Sequence, residues 1–267
     1  MVNRPIGVFD SGVGGLTVVK ELIRQLPLEN IVYLGDTARV PYGTKSKSTI
    51  VRFTLENILF LLKQNVKLIV IACNTSSSMA LEEARNYFKI PIVDVVLPGA
   101  KEAVYATKNK RIGVIGTPAT IKSRAYEREI KRLNSSIKVI SKPTPLFVPL
   151  VEEGLFYSAI SLKISRMYLK DFKEADIDTL VLGCTHYPLL KPLIQRVMGK
   201  NVTLIDSAEQ VVYEVKELLK KEKLFNRSKK KGKHKFFVTD APENFLKVAQ
   251  HFLKEPIKNI KMVNYGL

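Results

Sequence analysis

Cysteine is scarce in this chain of 267 residues: there are two, Cys73 and Cys184, 111 residues apart. With no CxxC pair, neither a disulfide framework nor a zinc knuckle is expected. A reduced, cytoplasmic setting is the expectation that goes with this. Long apolar runs are missing too. None approaches the roughly 18–20 residues that a membrane span needs. Residues 1–10 pass straight into a strand pattern, without a signal peptide's apolar stretch and small-residue cleavage site. No Gly-Lys-Ser/Thr follows the first glycine-rich turn, which excludes a P-loop. A dinucleotide fingerprint fails as well, because Thr17 stands where the third glycine belongs. No lysine stands out as a pyridoxal anchor.

Acidic residues are few: 25 Asp and Glu face 43 Lys and Arg, a formal net charge of +18. Much of the excess is local. Residues 220–235 hold nine Lys or Arg against one Glu. The run Lys229-Lys230-Lys231-Gly232-Lys233-His234-Lys235 reads as a solvated loop between a helix and a strand. Basic residues alone give only nonspecific attraction to nucleic acid, and no recognition motif accompanies them. Neither a nucleic acid nor a membrane is expected as a partner.

Short apolar runs alternate with helical patterns along the whole chain, which predicts an α/β fold with mostly parallel sheets. The runs place strands at 6–9, 31–35, 68–72, 92–95, 112–115, 138–141, 180–183, 202–205 and 235–239. Helices are predicted over 16–25, 47–64, 77–88, 98–107, 120–133, 158–170, 188–197, 207–221 and 242–252. Ile6-Gly-Val-Phe-Asp-Ser-Gly12 echoes Ile112-Gly-Val-Ile-Gly-Thr-Pro118 at an offset of 106. That offset is close to the spacing of the cysteines and suggests two related halves. The chain would cross between lobes at Pro98-Gly99 and return at Asp206-Ser207. This gives a first lobe of 1–97 plus 207–267 and a second of 98–206, with a cleft between them.

Each cysteine closes an apolar strand. Cys73 ends Leu68-Ile-Val-Ile-Ala72 and is followed by Asn74-Thr75-Ser76; Cys184 ends Leu180-Val-Leu-Gly183 and is followed by Thr185-His186-Tyr187-Pro188. Strand ends that turn into helices are where open α/β sheets place their chemistry. A thiol at a helix N-terminus has its thiolate favoured by nearby N–H groups, so a lowered pKa is expected. His186 could act on the Cys184 proton near neutral pH. Asp10-Ser11-Gly12-Val13-Gly14-Gly15 follows the first strand and suits a small amino or carboxyl ligand. Asp36 follows the second, ahead of Pro41-Tyr42-Gly43, where a β-turn is expected. Bland readings stand beside these: buried cysteines as small hydrophobes, and aspartates as caps. A zinc site from Cys73, Cys184, His186 and Asp10 lacks regular ligand spacing. A thiol redox protein would need a resolving cysteine, and no redox motif supports one.

Taken in order, these segments resemble the glutamate racemases of the aspartate/glutamate racemase family. The likeness includes Val8–Thr17 (VFDSGVGGLT), Tyr33–Gly43 (YLGDTARVPYG), Ala72-Cys-Asn-Thr75, Gly113–Thr120 (GVIGTPAT), Pro145–Glu152 (PLFVPLVE) and Leu182–Leu190 (LGCTHYPLL). It implies two pseudo-symmetric α/β domains with the active site in the cleft between them. It implies cofactor-independent, metal-free racemisation of glutamate by two bases, supplying D-glutamate for peptidoglycan synthesis. Cys73 would act on D-glutamate with help from Asp10, and Cys184 on L-glutamate with help from His186. Asp36 and Glu152 would be supporting acid–base or ammonium-binding groups. Substrate contacts would come from Asp10, Ser11, Pro41, Tyr42, Gly43, Asn74, Thr75, Thr117, Thr120, Thr185 and His186. A homodimer is implied as well. The chain departs from the family's pattern at Ser76, where Ala is common, at Thr144, where Cys often stands, and at Leu97, where a polar residue is frequent. Aspartate or hydantoin racemisation is the neighbouring enzymatic alternative.

Overall fold

Parallel strand pairing organises both halves of the computed structural model, which describes residues 2–253, 257 and 259–264. The order of elements is β1 (Ile6–Asp10), α1 (Leu16–Gln25), β2 (Ile31–Gly35), α2 (Lys47–Lys63), β3 (Leu68–Ile71), α3 (Asn74–Tyr87), β4 (Ile92–Asp94) and α4 (Val96–Ala106). It continues with β5 (Arg111–Gly116), α5 (Pro118–Ser123), α6 (Ala125–Leu133), β6 (Lys138–Pro143), α7 (Phe147–Glu152), α8 (Ala159–Glu174), β7 (Thr179–Gly183) and α9 (Lys191–Met198). The last elements are β8 (Thr203–Ile205), α10 (Ala208–Lys221), β9 (His234–Val238), α11 (Pro242–Phe252) and β10 (Ile260–Met262). Residues 1, 254–256, 258 and 265–267 of the expected first lobe lie outside the described residues.

Among the described residues two sheets form, ordered β10-β9-β2-β1-β3-β4 and β6-β5-β7-β8. Set side by side, β4-β3-β1-β2 and β8-β7-β5-β6 are the same arrangement. The registers agree as well. Ile6 pairs with Leu68 and Ile112 pairs with Thr179, and in each half the cysteine lies five residues beyond that pairing. The echo between Ile6-Gly-Val and Ile112-Gly-Val is therefore a repeat in space.

The central strands β1, β2, β3 and β7 are buried along their whole length, as continuous apolar runs in a two-sided sheet require. The largest apolar cluster runs without a break from β1 and α1 through α10 to β7, α8 and α9, so the two sheets share a core. Smaller clusters lie on the other faces of the first and second sheets. Three helix starts follow side-chain capping chemistry. Ser46, Thr117 and Ser158 each accept a backbone N–H three residues on, and Pro118 occupies the first turn of α5.

Several elements differ from the sequence expectation. The helix predicted over 120–133 is two, because Arg124 adopts a left-handed conformation (φ 54°) between α5 and α6. Helix α3 starts at Asn74 rather than 77, with Cys73 as its N-cap residue. The expected β-turn after β2 is instead a pair of 3-10 turns, Thr37–Arg39 and Tyr42–Thr44, flanking a cis Val40–Pro41 bond. The helix expected at 188–197 begins as a 3-10 turn, Tyr187–Leu190, before α9. Among the described residues, no helix is long and apolar enough to cross a membrane.

Candidate active site

Because every described strand pairs in parallel, the C-terminal strand ends of each sheet share one edge, and both cysteines sit there. Ser11, Val40, Pro41, Tyr42, Gly43, Cys73, Asn74, Thr75, Thr117, Val148, Cys184, Thr185 and His186 line a single cavity. Its volume is about 20 Å³, room for about one water. Wider surface grooves exist, one of about 680 Å³ along α2 beside Lys47, Arg52 and Leu59, but that one contains no cysteine.

The two thiols have unlike surroundings. Cys73 lies 3.6 Å from the Ser11 hydroxyl. Burial, reinforced by the Asp10 carboxylate, pushes its pKa up to about 11. The Ser76 N–H at the start of α3 and the Ser11 hydroxyl pull the other way without prevailing. The lowered value expected for a helix-capping thiol is thus reversed, because desolvation outweighs the helix end. Cys184 lies 3.9 Å from Nδ1 of His186. Burial alone would push His186 down, but Cys184 and Glu152 outweigh it and hold the imidazole up at about 10. Nε2 of His186 is 3.4 Å from Glu152 Oε1, an ion-pair contact rather than an aligned hydrogen bond.

Both shifts carry the same sign for stability. The unfolded chain releases the histidine proton near 6.5 and the thiol proton near 9, whereas the folded chain holds them to about 10 and about 11. The contribution from His186 is fully present below pH 6.5 and is lost as pH rises through about 10. The contribution from Cys73 fades in the same way between 9 and about 11. The urea midpoint should therefore fall between about pH 7 and about pH 10, and His186→Asn should flatten the lower part of that slope.

Asp10 is fully buried at the end of β1. It accepts the Gly12 N–H at 3.0 Å and the Thr185 hydroxyl at 3.2 Å, which ties the first sheet's loop to the second sheet's. Asp36 does not line the cavity. Its carboxylate accepts from Arg39 (2.7 Å), Thr239 (3.1 Å) and the Tyr42 hydroxyl, so its contact with the cavity lining runs through Tyr42. Glu152, at the end of α7, meets His186 and not the cavity. Thr120 lies just behind the lining, in a hydroxyl triangle with Thr75 (3.3 Å) and Thr117 (3.0 Å).

Sequence reasoning missed Val40 and Val148, which line the cavity from within quoted motifs, and Tyr126, which stands behind it. Tyr126 donates to Asn74 Oδ1 at 2.6 Å, from α6 across to α3. With its carbonyl engaged, Asn74 has Nδ2 left to offer, a donor suited to a carboxylate. Tyr126→Phe should raise KM by up to about tenfold with kcat nearly unchanged, the size of one lost hydrogen bond. Steady-state kinetics measure both. Thr144, one of the departures from the family's pattern, braces the Cys184 loop by donating to the Tyr187 hydroxyl at 2.7 Å.

Residues 6–215 match the Asp/Glu/Hydantoin racemase family. The chain belongs to that family. Among proteins of the Asp/Glu/Hydantoin racemase family it is similar to glutamate racemase of Geobacter metallireducens, 48% identical over 98% of this chain and 97% of that one. The fold is similar to that of glutamate racemase from Francisella tularensis in complex with D-glutamate, with a TM-score of 0.93 and 43% identity over 99% and 98% of the two chains. The RacE1 isoform from Bacillus anthracis is similar too, with a TM-score of 0.95 and 39% identity over 99% of each chain. In this racemase fold, no group of three or more His, Cys, Asp or Glu is disposed to hold a metal ion among the described residues.

Proposed function

We propose that this chain interconverts L- and D-glutamate, as a glutamate racemase that supplies D-glutamate for peptidoglycan synthesis. The observation that carries the reading is one cavity lined by two thiols from two sheets in equivalent registers. Racemisation removes a proton from one face of Cα and returns one to the other. Two bases do this without any group crossing the substrate. With D-glutamate, the Cys73 thiolate takes the α-proton and Cys184 donates one to the opposite face. Cys73 ends as thiol and Cys184 as thiolate, with His186 beside it to carry positive charge. L-glutamate runs the sequence backwards.

Asp10 has a double part. Its charge helps hold Cys73 as a thiol. A substrate ammonium drawn to Asp10 offsets that charge and so releases the Cys73 proton more readily. The carboxylate that gains enolate character is met by the N–H groups opening α3, by Asn74 Nδ2 and by the hydroxyls of Thr75 and Thr117, while the Thr185 hydroxyl stays on Asp10. Glutamate has about ten non-hydrogen atoms, far more than a cavity of about 20 Å³ admits. Substrate therefore enters by parting of the lobes, which we place at 1–97 plus 207–267 and at 98–206. Closure then removes water from the reacting carbon.

In heavy water and with no added cofactor, each enantiomer of glutamate should convert to the other with deuterium at Cα. Circular dichroism and proton NMR follow both events. Equal or faster turnover of D-aspartate would replace the glutamate assignment, and inversion without deuterium uptake would remove the proton-transfer mechanism.

A further inference from the structure

The N-terminal ends of the first sheet's strands share the edge away from both thiols, and the segment joining α10 to β9 lies along it. The run read from the sequence as a solvated loop, 229–235, is loop as far as Lys233 and enters β9 at His234, and hydrogen bonds hold the segment down as a strap. Lys67 Nζ donates to the Leu224 carbonyl at 2.8 Å, and Asn226 donates to Glu29 Oε1 and to the Leu28 carbonyl, each at 2.7 Å. Gly232 donates to the Pro27 carbonyl at 2.9 Å and Lys233 to Asn30 Oδ1 at 2.8 Å. Beneath the strap, Lys67 and Glu29 form a buried ion pair at 2.5 Å. At Gly232 the fit is so close that a Cβ would stand 1.9 Å from the Glu29 carbonyl oxygen.

The strap's backbone is held, and its charges face out. All nine Lys and Arg of residues 220–235 are exposed, and none is ion-paired among the described residues. The single acid among them is Glu222. Two apolar side chains share this edge, Leu28 at 40% exposure and Phe225 at 41%. The side chain of Asn226, next in sequence to Phe225, donates to the Leu28 carbonyl.

We propose that this edge is a docking surface for an anionic phospholipid bilayer. A cluster of Lys and Arg that neutralises headgroups, with apolar residues that enter the acyl boundary, is the chemistry of peripheral lipid binding. Nucleic acid is the poorer fit. Binding of single strands uses a basic groove with several stacking aromatics, whereas this edge is a strap with one Phe and a Leu. A membrane-spanning run, which the sequence lacks, is not needed for surface docking. The cavity lies at the opposite edge of the sheet, so a bilayer docked on the strap does not cover it.

The test uses the full chain and vesicle co-sedimentation. Binding is expected to vesicles of about 70% phosphatidylcholine and 30% phosphatidylglycerol and not to phosphatidylcholine alone, and it should weaken at least tenfold in about 0.5 M salt. Lys229→Ser, Lys230→Ser and Lys231→Ser together should lower binding more than tenfold, and Leu28→Ser with Phe225→Ser several-fold, each with wild-type racemisation. Gly232→Ala, which lifts the strap without changing its charge, should also lose several-fold. Equal binding to neutral vesicles overturns the proposal. So does a triple-lysine variant that binds as wild type. Tighter binding to duplex DNA than to the vesicles, unaffected by Phe225→Ser, overturns it in favour of a nucleic-acid surface.

Discussion

Cys73→Ala and Cys184→Ala are each expected to lower racemisation by at least about 10³-fold, within the range that a positioned acid or base supplies. The two variants should fail differently. In Cys73→Ala the remaining thiol still reaches Cα from its own side, so L-glutamate should exchange its α-proton with heavy water while keeping its hand. In Cys184→Ala the same slow exchange should appear with D-glutamate only. Proton NMR reads exchange and circular dichroism reads inversion on the same sample. Racemisation within tenfold of wild type in either variant would remove the two-base mechanism. Exchange of both enantiomers in one variant would remove the assignment of each thiol to one face.

Gly14→Ala should reduce kcat/KM by about 10²-fold, the scale on which displacement of a reacting group by about 1 Å acts. A Cβ there would stand 2.4 Å from the Thr185 hydroxyl and 2.8 Å from Nδ1 of His186. These atoms serve both halves of the site. Thr185 donates to Asp10, and His186 neighbours Cys184. The methyl therefore pushes on Asp10's partner and on the imidazole beside Cys184 together. Gly12→Ala is the control two residues away. Its Cβ would meet only Val40 Cγ2, at an ordinary 3.6 Å, and activity should stay within a few-fold of wild type. If Gly14→Ala were as active as Gly12→Ala, the close approach of the two loops would play no part in turnover.

The sheets were legible because their strands are fully buried, and continuous Val, Ile and Leu runs between polar turns announce this. Strand β10 was not: it is three residues long, partly exposed, and lies at a sheet edge. Helix α7 was missed because it spans six residues with Pro149 inside. The break at Arg124 was hidden because helical periodicity continues across it. At the site, polar residues at strand ends were readable because such positions are unusual for Cys, Asp and His. Val148 and Tyr126 look like core residues in sequence, and only packing shows what they touch. The direction of the Cys73 shift is not legible in sequence, because a helix start is visible there and the depth of burial around it is not.

The shared register has a consequence for how this chain can change in length. Sixty-seven residues separate Ile6 from Cys73, and 72 separate Ile112 from Cys184. The five-residue difference falls entirely within the crossovers, since the stretch from the paired residue to the sulfur is the same in both halves. A single insertion inside β3 or β7 would turn the thiol to the opposite face of its sheet. Insertions in the crossovers leave it in place. The two halves have drifted in length wherever the chain passes over a helix, while the reach from pairing to sulfur has stayed a fixed ruler.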